Sequence, residues 1–293
     1  MPSFATPEPI LAVVELGVGS LRIRASDRAD TVVEVRPAEP ASDADVQAAR
    51  ETAVEYSAGR LTIRAPRRRL RSLFGTGEAV EVTVDLPTGS RLDASAGTGV
   101  QATGRLGDCT VQVARGGVDL DEVADLRLRT ANGDVVVGRC RGRADVGTAN
   151  GAVRIQQLDG PVLVQTASGA ITLGEAADDV RLATAAGVIS VDRALAGVDA
   201  RTGSADVRLG EVVRGTVALV TGSGRLDIGV REGTAALLDL RSGDGTVRSE
   251  IAAVDRPAPT DETVETVEIR ALSGRGNILV HRSRPARSSM LTK

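Results

Sequence analysis

Few side chains in this 293-residue chain could carry out chemistry, and they do not fall into a working constellation. His281 is the single histidine. It follows the last apolar alternating segment with no acid or nucleophile spaced to relay a proton, and it reads as an edge or tail histidine. Cys109 and Cys140 are the two thiols. With one imidazole they cannot complete a tetrahedral zinc site without carboxylates, and no ligand spacing accompanies them. Two cysteines also make no disulfide framework, and free thiols prefer burial, so both are expected to be semi-buried. Asp178-Asp179 and Asp121-Glu122 are the adjacent acids of the central region. Glycoside hydrolysis needs two carboxylates at a set separation on one face, whereas these pairs are expected at chain corners, where charge is solvated. Gly133-Asp134 and Gly243-Asp244 lack the nonapeptide setting of calcium-binding repeats. Gly222-Ser223-Gly224 has no following Gly-Lys-Ser/Thr, so it is no phosphate loop. No catalytic residue, cofactor or metal ligand is assigned, and a small-molecule ligand is not expected.

One patch is chemically unusual. Arg64, Arg67, Arg68, Arg69 and Arg71 run up to Leu73-Phe74-Gly75. A basic cluster beside an aromatic ring suits a charged partner, and Arg64, Arg67, Arg68, Arg69, Arg71 and Phe74 are the candidate contact residues. A solvated loop would have the same composition. The tail residues Arg282, Arg284, Arg287 and Lys293 form a weaker cluster, expected to be disordered. Over the whole chain 36 basic residues meet 39 acidic ones, a net charge of −3. That balance does not fit a dedicated nucleic-acid binder.

The elements that would position these residues are written in a repeat. Thr130, Thr148, Thr166, Thr184 and Thr202 stand 18 residues apart. Gly133, Gly151, Gly169 and Gly187 follow the first four by three positions, and Ala205 takes the place of glycine in the fifth. Thr221 with Gly224, Ser242 with Gly245 and Ser273 with Gly276 extend the series at wider gaps. Apolar residues flank each Thr in alternation, as in Leu126, Leu128, Val135 and Val137. Period two means a strand with one buried face. Each repeat therefore reads as strand, tight turn, strand and looser corner, with glycine supplying a positive φ at the turn. An antiparallel meander and a parallel coil both accommodate such units. The recurrence of the same inward pattern, Thr included, favours the coil, where like stacks on like. With only Phe4, Tyr56 and Phe74 aromatic and no Trp, the core must be built from Val, Leu, Ile and Ala, which suit pleated surfaces.

The front of the chain is less regular. Val14 to Leu16 with Gly19 to Ile23 looks like a rung, as does Val54 to Tyr56 with Gly59 to Ile63. Between them residues 42–52 have helical composition, with Ser42 as N-cap and Asp45 at its third position. Residues 1–91 are thus expected to form N-terminal rungs with a short helix and the basic loop, capping the same domain. Residues 92–282 form the repeat solenoid, and 283–293 a disordered tail. The insertion Ala252 to Thr266 is expected to protect the far end. No stretch approaches the ~20 apolar residues of a membrane helix, and the first residues lack a basic segment and a long apolar run, so the expectation is a cytoplasmic chain without a transmembrane segment.

The run VEVTVDLPTGSRLDASAGTGV, the later LRLRTANGDVVV and the opening TPEPILAVVELGVGSLRIRASDRADTVVEVRP resemble the bacterial β-strand-repeat family, domain of unknown function 4097, loosely labelled adhesins, in its actinobacterial type. Leu86-Pro87, Gly89 and the Thr-x-x-Gly turns carry the likeness over roughly residues 9 to 282. It implies an all-β, right-handed parallel β-helix-like solenoid and no particular chemistry. The function expected is therefore a non-catalytic interaction or scaffold protein, whose partner is a protein or a second copy, with no specific nucleic acid. Outward rows such as Arg127, Arg129, Asn132 and Asn150 would form its surface. An envelope adhesin is the alternative, and a carbohydrate-active β-helix enzyme is a third.

Overall fold

Alternation with one buried face produces strands throughout, and the computed structural model describes them for residues 1–66, 78–251 and 265–283. Among these residues the chain is all-β with one short helix, Asp43–Glu51. It divides into two units, Met1–Gly169 and Ala170–Lys293.

In the first unit each rung contributes a leading strand to one sheet and a trailing strand to a second. Leu126–Asn132 and Val135–Cys140 make one rung, and Ala144–Asn150 and Val153–Leu158 make the next. Leading strands pair in parallel with Leu126 beside Ala144, Leu128 beside Val146 and Thr130 beside Thr148. Trailing strands do the same, with Val135 on Val153 and Val137 on Ile155. The interior is therefore a set of files of like side chains, nearly all inaccessible to solvent. Stacking of that kind is what a parallel ladder with one period per rung provides. The fold is the parallel β-solenoid that the repeat predicts.

The N-terminal end of this unit departs from the expected pattern. Val54 to Tyr56 and Gly59 to Ile63 do not form a rung: Ala53–Ser57 and Arg60–Arg64 are an antiparallel hairpin in the leading sheet. Ala58 and Gly59 have φ of 49° and 76°, the paired positive values of a two-residue hairpin turn, so the chain reverses where a rung would turn a corner. Ser3–Ala5 and Asp30–Pro37 are likewise antiparallel on the trailing sheet. Phe4 from one sheet meets Tyr56 from the other at 5.3 Å between ring centroids, so two of the three aromatics close this end. The helix packs on Asp30–Pro37 and Val80–Pro87, with Ser42 Oγ accepting from the Asp45 backbone N–H. The Asp45 carboxylate does not return to the cap. It accepts from the backbone N–H groups of Glu39, Glu78 and Ala79, tying the helix to two other segments.

In the second unit the rungs Val180–Ala186 with Ile189–Ala194, Val198–Ser204 with Val207–Val212 and Gly215–Ser223 with Leu226–Val230 follow in chain order. The last two are exchanged. Thr266–Arg275 pairs with Gly215–Ser223 on one side and with Ala235–Asp244 on the other. The later segment thus inserts beneath the earlier one, and the file runs Thr221, Ser273, Ser242 in space.

Candidate interaction surface

Several exposed polar residues of the repeat are engaged with the next rung. Asp125, Asp134, Asp179 and Asp206 each accept the backbone N–H of a residue 18 or 19 positions on, at 2.7–3.0 Å. These corner carboxylates hold successive rungs in register, filling the acceptor role that a buried or crowded N–H needs. Asp178 accepts from the Asp179 N–H at 2.7 Å, so the first acid pair is spent on backbone contacts. The second pair lies within the strand Val118–Val123, not at a corner. There Asp121 accepts the Gly104 N–H and Glu122 pairs with Arg141. Arg193 bridges Glu175 and Glu211 on the neighbouring rungs at 3.4 and 3.0 Å.

The two thiols are buried and unpaired as disulfides. Burial pushes the Cys109 thiol up to about 12 and Cys140 up to about 11, because desolvation disfavours the thiolate. Neither is poised as a nucleophile. His281 lies in the final strand, Ile278–Arg282, and not beyond it. Its Nε2 is 2.9 Å from Asp227 Oδ1, and its Nδ1 is 2.7 Å from the Arg282 carbonyl, so both ring nitrogens are occupied.

Of the basic patch, Arg64 ends the strand Arg60–Arg64 with its Nε 3.6 Å from Glu15 Oε2. Arg67, Arg68, Arg69, Arg71 and Phe74 lie outside the described residues, as does most of the insertion Ala252 to Thr266. The outward row is partly interlocked. Arg129 lies over Gly147 and bonds Asp145 at 2.8 Å, and Asn150 donates to Asn132 at 3.0 Å.

The feature that motif reading missed is a groove of roughly 330 Å³ on the outward face of the trailing sheet in the first unit. Five strands contribute, in the order Val80–Pro87, Gly19–Ser26, Gly99–Arg105, Val118–Val123 and Val135–Cys140. Its floor is low because Gly99 and Gly117 occupy neighbouring places where a side chain would otherwise rise. Across the strands the row runs Glu81, Ser20, Gly99, Gly117 and Asp134, so a carboxylate stands at each end of it. Arg22, Gln101 and Asp119 form one bank, with Arg22 Nε 3.4 Å from Gln101 Oε1. Glu81 and Asp119 form no ion pair among the described residues, and both are exposed. The sequence signal was the pair of small residues just ahead of Val100 and Val118, legible once the register is known.

The family model described as Toastrack DUF4097 matches residues 13–268. No curated protein matches the chain. Among solved structures, a "putative cell adhesion protein" from Clostridium sporogenes is 9% identical, with 96% of this chain and 98% of that one covered and a TM-score of 0.19. A "putative adhesin" from Parabacteroides distasonis is 11% identical, with 95% of each chain covered and a TM-score of 0.36. One from Bacteroides fragilis is 15% identical, with 95% of each covered and a TM-score of 0.32.

Proposed function

Because the chain belongs to the Toastrack DUF4097 family, we propose that it is a non-catalytic interaction module that grips a partner protein along the trailing-sheet groove of its first unit. The groove carries the reading. It crosses five strands, which at ~4.8 Å per interval is roughly 19 Å, the length of about six residues of extended chain. Its walls offer hydrogen-bonding groups and two carboxylates, Glu81 and Asp119, without an ionic partner among the described residues. An extended polar segment bearing Arg or Lys fits that lining, since charge complementarity sets orientation and encounter rate.

The non-catalytic part of the reading is supported by the engagement of Asp178, Asp179, Asp121 and Glu122 with backbone groups or an arginine. Hydrolysis of any member of a glycan panel that disappears in Asp178→Ala or Asp179→Ala would overturn it. For the interaction itself, affinity capture with the intact chain is compared with a Glu81→Arg/Asp119→Arg variant whose thermal transition is unchanged. The reading expects the partners of the wild type to be lost from the variant. An unchanged set of captured proteins contradicts it. The adhesin-like alternative uses the same surface in a different compartment, and recovery of the chain with the cell envelope on fractionation would favour it.

A further inference from the structure

In the second unit the outermost rung is Ala235–Asp244 with Val247–Ser249, and each strand pairs on one side only among the described residues. Its inward side chains are poorly covered. Leu238 and Leu240 are half-buried and Val247 is 45% exposed, while Ile269, Ala271 and Ile278 in the rung beneath are at most 3% exposed. Exposed edges are normally blunted with Pro, Lys or short strands. This one is ten residues long and contains neither residue.

From this edge we infer that the chain self-associates, a second copy adding its own Ala235–Asp244 antiparallel across a two-fold axis. The inference concerns a different surface from the groove and does not depend on it. Residues facing each other across an antiparallel pair point to the same side of the sheet. Only registers centred on a residue therefore keep both cores on one side. Centring on Asp239 sets Asp239 against itself, and centring on Arg241 sets Arg241 against itself. Centring on Leu240 places Asp239 opposite Arg241 of the second copy, and the converse by symmetry. The same register stacks Leu240 on Leu240 and Leu238 on Ser242. Within one strand Asp239 and Arg241 already pair at 3.0 Å, so the join completes an alternating square of four charges. Such isologous contacts close on themselves, giving a dimer and not a fibre.

Light scattering of the full chain over a concentration series tests this. A dimer is expected, weakened at least tenfold in Kd by Asp239→Arg or Arg241→Asp alone and restored by the double exchange Asp239→Arg/Arg241→Asp. A monomer at every concentration overturns the inference, as does a dimer indifferent to the single changes or a double exchange that fails to restore it. Cross-linking reads the register directly. Leu240→Cys is expected to give a disulfide-linked dimer on mild oxidation and Leu237→Cys much less, and equal yields contradict the register.

Discussion

Glycine and cysteine show what single residues do in this molecule. The turn glycines were legible as a series from the 18-residue spacing, and a positive φ was the expected reason. The structure supplies a stronger one. A Cβ on Gly151, where φ is +144°, would lie 2.1 Å from the Gly133 carbonyl oxygen, because like turns stack directly. Gly151→Ala is therefore expected to cost about 2–4 kcal/mol in urea denaturation. Gly233→Ala, with φ of +83° but nothing within 4 Å, should cost only about 1–2 kcal/mol. Equal losses would show that conformation and not stacking sets the requirement. The thiols make a pH prediction. Folding raises both pKa values, so their stabilising effect is complete below the unfolded value near 9 and is lost as pH rises toward 11–12. Unfolding free energy should fall above pH 9 by up to about 1.4 kcal/mol per thiol and pH unit. The Cys109→Ala/Cys140→Ala variant should show a shallower decline, and an identical slope would contradict the assignment.

At the scale of elements, the threonine file was readable from spacing, but the behaviour of its hydroxyls was not. Thr221 Oγ1 donates to the Ala205 carbonyl at 2.9 Å, and Ser273 Oγ to the Gly224 carbonyl at 3.1 Å. Thr130, Thr148 and Thr166 are buried too, yet their hydroxyls have no partner among the described residues. A made hydrogen bond stabilises by about 1 kcal/mol, whereas a buried unpaired hydroxyl costs its desolvation. Thr221→Val should thus destabilise by about 1 kcal/mol, and Thr148→Val should be neutral or stabilising. The opposite order would mean that the hydroxyls of the first unit are satisfied. The helix was also legible, from Ser42 and the run after it, but the role of Asp45 was not, because its partners at 39, 78 and 79 are fixed by tertiary placement. Asp45→Ala leaves three backbone N–H groups without their acceptor and is expected to lower stability by about 2–3 kcal/mol. The hairpin at Ala58-Gly59 is not distinguishable from a rung in the sequence for a related reason: apolar alternation is the same in both, and only the turn geometry separates them.

At the scale of the molecule, the 18-residue period makes the regular rungs legible, while the groove and the exchanged end do not show in the sequence because both arise from non-adjacent segments. Gly99 and Gly117 become a groove floor only when three-dimensional register sets them between Glu81 and Asp134. Ser273 enters the file ahead of Ser242 because the later strand inserts beneath the earlier one. The regular rungs are equivalent units, each contributing the same inward residues to the same files. Removal of one whole rung, residues 144–161, tests that directly, with circular dichroism and thermal unfolding as the readout. The shortened chain is expected to keep its β-sheet signal and a cooperative transition, because Val162 then takes the place of Ala144 on Leu126. Removal of residues 144–152 alone, half a period, should abolish both. A folded half-period deletion, or an unfolded full-period one, would contradict it.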